Sequence, residues 1–574
     1  MGMDKNDLIY VLEVIPRSSL PSIQTLTFYA IGQKPKIGEL IEVPIQNKTI
    51  LAIVINTDSL ISMKANIKTL LFQLKPISRR YENLILSHNF IAVISTCAQE
   101  QCLSKPEILI VALPSKHADI ELFDSLNNKI KNNNITAEVI CISNPDIYKK
   151  YRKGLRHKHK AVYFEILSGS SSKLKKELGL LAKTNKRQNV FIVTTVQYLA
   201  LLPVRVKKIT CLGTPDWYRQ VQVPHINSLS YIKNYCEVFG IKFKQCDLNY
   251  FNHEKIRSLS VQIINRKESG PSVLGPEIVE LINKARDKNT PIILIHSRLG
   301  YATQTICRDC NHVLECENCA SNLVLHMENK IRKYVCHYCK KFYPASKKCP
   351  NCDSWNLITL GIGSEQIIEK LKLLGGEYNI REIKKASEII NKKNKFEIIL
   401  MLENFIPALE SEIDYSAVVS IDSLLVIPDY NARERAFQNL WHLKKLTKKV
   451  MLVQTRHPKD IIFKSLLENR REIFTDDEMA RRKKFGYPPF KNLIKITIEQ
   501  HPLKATESVE FVKKSLTDYN PIVTPAFIRR VRSKDRYNIF LQIGLASWPD
   551  KKLYEKLMLI KKVASVEVNP LSIL

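Results

Sequence analysis

The chain lacks any hydrophobic run long enough to span a membrane. Apolar stretches such as Phe191–Thr194 and Pro291–Ile295 are only strand-sized. Its first residues, Met-Gly-Met-Asp-Lys, carry no apolar leader, so a cytoplasmic location and no membrane partner are expected. Repeats at periods of 20–50 residues are absent, which excludes solenoids and propellers. Acidic residues are in short supply: Asp+Glu number 56 against Lys+Arg 88, a net charge of +32. Part of that excess reflects a general richness in Lys, Ile and Asn. The remainder favours a polyanionic partner, with nucleic acid the usual one. An anionic membrane surface fits less well, because no basic amphipathic helix with aromatic anchors stands out. Otherwise the composition is globular, with 45% hydrophobic and 25% charged residues, and 574 residues leave room for roughly three to five domains.

Against these absences stands one dense motif. Eight cysteines form four C-x-x-C pairs, Cys307/Cys310, Cys316/Cys319, Cys336/Cys339 and Cys349/Cys352. A C-x-x-C turn points two thiolates at one metal, so four pairs supply two closed, all-cysteine tetrahedral sites. Closed sites leave no position for water, so two structural zinc ions are expected rather than catalytic ones. The alternative is a disulfide framework, which suits secreted chains. His312, His326 and His337 lie nearby, but eight thiolates already fill two sites, so they are read as surface or packing residues. The other six cysteines (Cys97, Cys102, Cys141, Cys211, Cys236, Cys246) are scattered and read as buried thiols.

Periodicity sketches the organisation. Residues 8–57 read as short strands, Leu8–Ile15, Leu26–Ala30, Leu40–Val43 and Ile50–Ile55, in a small β-rich module. Residues 81–112 look helical, and the polar stretch 115–160, with Asn132–Asn134 and a basic run from Lys149, reads as a weakly structured connection or a reduced domain. Strand–helix–strand alternation follows at Ala161–Ile166, Lys173–Ala182, Asn189–Thr194 and Val206–Leu212, which predicts a parallel sheet. A second such unit runs through Pro276–Lys288 and Pro291–His296, then resumes after the cysteines at Ser364–Leu374, Phe396–Met401 and Ala417–Ile421. The cysteine segment is thus an insertion in an α/β unit. A closing region carries strands Leu493–Glu499, Ile539–Ile543 and Ser565–Val568.

The run C-R-D-C-N-H-V-L-E-C-E-N-C (307–319), with C-H-Y-C (336–339), C-P-N-C (349–352) and G-I-G-S-E (361–365), closely resembles the primosomal protein N′ family of bacterial replication-restart helicases. S-R-L-G-Y-A (297–302), R-R-K-K-F-G-Y-P-P-F (481–490) and N-P-L-S-I-L (569–574) are similar to that family too. The resemblance implies an α/β multidomain fold. A 3′-end DNA-binding-like domain would span 1–113, and a linker or reduced winged-helix region 114–159. Degenerate RecA-like lobes would span 160–270 and 271–302 with 359–460. The double-zinc insertion would occupy 303–358 and an α+β, DNA-binding-like domain 461–574. It also implies the pairing of ligands: Cys307, Cys310, Cys349 and Cys352 on one zinc, Cys316, Cys319, Cys336 and Cys339 on the other.

The resemblance fails where the family hydrolyses ATP. A phosphate loop needs G-x-x-x-x-G-K-[ST], because backbone must approach phosphate closely and the hydroxyl holds Mg²⁺. The best positional match, Leu167-Ser168-Gly169-Ser170-Ser171-Ser172-Lys173-Leu174, keeps only Lys173 and a small-residue loop. The D-E-E-H carboxylates fall on Leu212, Gly213, Thr214 and Pro215. Leu446 and Lys449 stand where the family has two arginines, and a lysine lacks the guanidinium fork that stabilises a transferring phosphoryl group. The G-T-Q motif is replaced by Leu402-Glu403-Asn404-Phe405-Ile406-Pro407-Ala408. Each loss costs on the order of 10³-fold in rate, so no catalytic residue is assigned and turnover is expected to be absent. The alternative is an ATP-dependent 3′-to-5′ helicase with a strongly diverged site.

Features for DNA contact remain. Phe28, Gly38 and Lys68 match the family's 3′-nucleotide pocket, with Phe28 read either as a base-stacking ring or as a core strand residue. Basic clusters at Arg481, Arg482, Lys483 and Lys484 (beside Tyr487) and at Arg529, Arg530 and Arg532 suit a single strand, or else form a solvated face. Arg298, with Lys330, Arg332 and Lys333 in the zinc segment, could reach a fork in the same way. The expected partners are forked or single-stranded DNA and, by the resemblance, single-stranded-DNA-binding protein, other primosome proteins and the replicative helicase with its loader. A zinc-ribbon RNA-binding protein would explain the charge but not this order of modules.

Overall fold

β-Branched residues recur through the first fifty positions, and they favour a pleated backbone. In the computed structural model, strands β1 (Ile9–Pro16), β2 (Leu26–Ile31), β3 (Glu39–Ile45), β4 (Lys48–Ser59), β5 (Lys75–Pro76) and β6 (Arg79–Ile85) form one sheet in the order β5-β2-β1-β4-β3-β6. The structure describes residues 9–19, 24–59, 74–131, 135–143, 152, 162–167, 171–184, 190–212, 225–246, 259–266, 273–297, 304–310, 312–317, 323–328, 331–336, 341–344, 348–360, 363–374, 378–385, 388–389, 395–409, 411–425, 427–531 and 533–574. Alternation puts Leu12, Val14, Ile41, Val43, Ala52 and Val54 into one small core. Gly38 is required where β3 begins: its φ is +86°, and a Cβ there would lie 1.9 Å from the Leu86 carbonyl oxygen. Tyr81–Ile85 belongs to β6, which corrects the helical reading of 81–112 in its first part. Helices follow at His88–Gln101 and Lys105–Ala112, the second opened by a capping box between Ser104 and Glu107.

The chain divides into two compact units, and the first holds residues 1–254 with 546–562 and 566–568. Its second sheet is five-stranded and parallel, in the order β11-β10-β7-β9-β8. The strands are β7 (Thr136–Ile142), β8 (Val162–Ile166), β9 (Val190–Thr195), β10 (Arg205–Leu212) and β11 (Lys242–Cys246). Its central strand, β7, lies in the stretch 114–159 that the sequence reading gives as a linker or reduced winged-helix region. The helix His117–Lys131 buries Ile120, Phe123 and Ile130, and β7 carries the apolar run that seeds the sheet. The polar flanks on either side masked that run in the sequence. The helix Lys551–Ile560, far along the chain, also belongs to this unit. Lys561 just beyond it reaches Glu107 at 3.1 Å, and Tyr554 donates to the Leu103 carbonyl at 2.9 Å.

The second unit holds residues 255–545, 563–565 and 569–574. In chain order it has β12 (Ser260–Asn265), β13 (Ile292–His296), then β14 (Gln304–Cys307), β15 (Val324–Glu328), β16 (Ile331–Val335), β17 (Phe342–Pro344) and β18 (Leu357–Leu360) in the cysteine segment. It continues with β19 (Ile380–Ile383), β20 (Ile398–Leu402), β21 (Ile413–Val418) and β22 (Thr447–Thr455). A six-stranded parallel sheet, β12-β22-β21-β13-β20-β19, receives helices on both sides of its strands in sequence, including Pro276–Asp287, Ser364–Leu373 and Ala432–Leu446. The cysteine segment leaves after β13 and returns before the helix Ser364–Leu373, as an insertion. An antiparallel sheet ends the unit, with β23 (Lys491–Gln500) and β24 (Ile522–Val531) flanking β25 (Lys534–Gly544). No described helix is long and apolar enough to cross a membrane.

Candidate metal centre and nucleic-acid interface

The two ends of the cysteine segment are tied together before any metal is considered. β14 and β18 pair antiparallel with Cys307 opposite Leu357. The Cys307 amide donates to the His312 carbonyl at 2.8 Å and the Cys349 amide to the Ser354 carbonyl at 2.9 Å, closing a tight turn around each thiol pair. The Asp309 carboxylate accepts from Asn356 Nδ2 at 2.8 Å and from the Ser354 hydroxyl, joining the first knuckle to the last. The result places the Sγ atoms of Cys307, Cys310, Cys349 and Cys352 within 4.8 Å of one another. Cys307–Cys352 and Cys310–Cys349 are each 3.5 Å apart, too far for a sulfur–sulfur bond. Four thiolates at about 2.3 Å from a tetrahedral ion lie about 3.8 Å apart, so this donor set fits zinc. These four are the ligands that the family resemblance groups on one ion.

The other group is only partly visible. Cys316 and Cys336 are buried in a small cluster with Leu314, Leu323, Leu325, Tyr334 and Tyr343. The Tyr343 hydroxyl lies 3.1 Å from Cys316 Sγ and accepts from the Glu317 amide at 3.2 Å. Cys319 and Cys339 lie outside the described residues. The β15–β16–β17 meander carries Cys336 just beyond β16.

Doubly wound sheets bind nucleotides beyond the carboxyl ends of strands where the winding reverses. In the first unit that place is the end of β7, with β9 and β8 on one side and β10 and β11 on the other. The candidate loop at Lys173 instead follows β8, an edge strand, which corrects its assignment as the phosphate-loop position. Lys173 Nζ is 2.8 Å from Glu165, a carboxylate only 1% exposed that also pairs with Arg152. The lysine compensates a buried charge. The residues after β7 are Ser143-Asn144-Pro145-Asp146-Ile147-Tyr148-Lys149-Lys150, without a glycine. In the second unit Lys449 pairs with Asp414 at 2.6 Å and Lys448 with Glu412 at 2.7 Å. Leu446 ends the helix Ala432–Leu446, and Glu403–Ala408 winds into a short 3₁₀ turn.

The residues matched to DNA contact divide sharply. Phe28 is 5% exposed and packs in the core of the first sheet, so the base-stacking reading is corrected to the packing one. Gly38 is buried against Leu86. Lys68, Arg298 and Arg532 lie outside the described residues. Arg481, Lys483 and Lys484 are exposed on the helix Arg471–Phe485. Arg482 faces the other way, 11% exposed. It donates to Glu478 at 3.0 Å, to Glu434 and Asn431 at 2.6 Å and to the Pro488 carbonyl at 3.2 Å, and lies over the Tyr430 ring. That corrects its reading as a DNA cation. Tyr487 stacks on Tyr430 with centroids 5.2 Å apart. Arg529 and Arg530 are exposed on β24, and Arg530 pairs with Asp535 at 2.9 Å. Sequence reasoning missed three exposed rings beside lysines: Phe485 next to Lys484, Phe342 under Lys333 and Trp355 under Lys348. Aromatics interleaved with lysines inside the cysteine segment were the available signal.

No protein-family model matches the chain. It is 26% identical over 314 residues to the replication restart protein PriA of Borreliella burgdorferi, covering 51% of this chain and 46% of that protein. The PriA of Thermotoga maritima is 26% identical over 347 residues, 57% of this chain and 47% of that one. The PriA of Bacillus subtilis is 27% identical over 287 residues, 46% and 35% respectively. The matched part is thus under half the length of each of these curated relatives. On that recurrent similarity, about half of the chain resembles PriA-type replication restart proteins.

Proposed function

We propose that this chain is a DNA-binding protein of replication restart that recognises branched or forked DNA, recruits primosome and helicase-loading partners, and does not turn over ATP. Three things support the reading: similarity to proteins named replication restart protein PriA, a charge of +32, and a four-thiol centre suited to a structural ion. The observation that carries the loss of turnover is the chemistry around β7. The sequence beyond its carboxyl end offers no glycine-rich cradle, and Lys173 is spent on Glu165 two strands away. Positioning of phosphates is nearly the whole of phosphoryl-transfer catalysis, so a site without cradle, carboxylates or guanidinium has nothing left to work with.

In this reading zinc does no chemistry. One ion is held by Cys307, Cys310, Cys349 and Cys352, and a second by Cys316, Cys319, Cys336 and Cys339. Together they fix a module that no large core could hold. Arg481, Lys483, Lys484 and Arg529 supply phosphate contacts. Competition binding tests the proposal: zinc-loaded protein should prefer a fork over duplex or RNA of equal length, with log K falling by roughly 0.7–0.9 per phosphate contact for each log unit of salt. Equal affinity for fork and plain duplex would overturn it.

A further inference from the structure

The loop that closes the four-thiol centre holds a tryptophan out into solvent. Residues 353–356 are braced three ways: Ser354 and Asn356 donate to the Asp309 carboxylate, the Arg308 amide donates to the Asn356 carbonyl at 2.8 Å, and the Leu357 amide donates to the Trp355 carbonyl at 2.7 Å. Cys349 and Cys352 anchor the loop at its start. Yet Trp355, at its apex, is 63% exposed. Lys348 Nζ lies 5.1 Å from the ring centroid, and the Arg308 side chain, whose backbone pairs beside the tryptophan, is exposed.

A rigid loop bearing its largest apolar side chain outward contributes little to folding through that ring, and a single exposed cation over it recovers little. Its immediate neighbours along the loop, Asp353, Ser354 and Asn356, are polar and do not extend the ring into the apolar patch that the centre of a protein interface needs. A flat ring with one cation over it and an exposed arginine whose backbone pairs beside its loop, on a strongly basic chain, matches a nucleotide: base on indole, phosphate on ammonium or guanidinium. We propose that Trp355 is a base-stacking residue for unpaired nucleic acid, with Lys348 and Arg308 holding the adjacent phosphates. The proposal rests on the DNA-binding function argued above and adds a site to it.

The test uses the full-length, zinc-loaded chain and fluorescein-labelled dT20. Trp355→Ala should weaken binding about 5- to 100-fold, while Trp355→Phe, which keeps a stacking face, stays within about threefold of the parent. Zinc content should be equal in all three. An abasic oligonucleotide of the same length should bind the parent and Trp355→Ala alike, since it offers phosphates without bases. Lys348→Ala should lower the salt slope by about one phosphate contact. Unchanged dT20 affinity in Trp355→Ala overturns stacking and leaves the ring for a protein partner. Equal losses on dT20 and abasic DNA overturn it as well. Failure of the parent to bind forks or dT20 at all would instead remove the DNA-binding reading on which the proposal stands.

Discussion

Two arginines and a glycine show how little residue type says about role until packing is known. Arg482 and its neighbours Arg481, Lys483 and Lys484 read as one basic run, but helical spacing turns Arg482 inward onto Glu478, Glu434 and Asn431. Removing one partner from such a network leaves charges uncompensated. Arg482→Ala should therefore cost about 2–4 kcal/mol in denaturant unfolding, whereas Lys483→Ala and Lys484→Ala should leave stability within about 0.5 kcal/mol and weaken DNA binding. Gly38→Ala should destabilise by more than about 2 kcal/mol, since its φ is positive and the new Cβ meets the Leu86 carbonyl. Denaturation midpoints at equal slope would check both. The scattered thiols are a further residue-scale case. Burial pushes Cys97, Cys102 and Cys236 up to about 12, so at pH 8 they stay protonated and should resist iodoacetamide in the native protein. Rapid labelling of any of them without unfolding would contradict their burial.

At the scale of elements, the sequence was readable wherever a strand or helix had clear edges. The strands near 162–166, 190–195 and 205–212 and the helix Pro276–Asp287 lie within a residue or two of their expected places, because proline and polar breaks bound them. Among the strands that stayed hidden were β7, a short apolar strand between Asn132–Asn134 and the basic run, and β24, whose Pro525, Arg529 and Arg530 disguise its alternation. Missing β7 moved the expected phosphate loop to the wrong strand, since only the sheet order reveals which strand is central. The four-thiol cluster of Cys307, Cys310, Cys349 and Cys352 was legible as two C-x-x-C pairs because their spacing is local, and only their convergence needed three dimensions. Chelation should melt the segment from β14 to β18 while both parallel sheets persist: amide exchange protection should vanish at residues 304–360 and remain in β13 and β20. Retained protection of the segment in the metal-free chain would show that its core holds without the ion.

On the function proposed above, the whole molecule keeps two parallel sheets without the chemistry such sheets ordinarily serve. The first is held by a large core that runs from Ile15 through Cys236 and a smaller one around Ile140, Val193 and Leu212, and the second by cores on both faces of its six strands. Fold survives on burial alone, whereas a phosphate site depends on a few polar positions that burial does not protect. The decisive measurement is ATP hydrolysis by zinc-loaded protein at saturating forked DNA, with fork binding recorded on the same sample. The account predicts tight fork binding and no turnover above the protein-free rate. DNA-stimulated hydrolysis that tracks the protein through purification would contradict it and make the chain an ATP-driven motor with a site of another design.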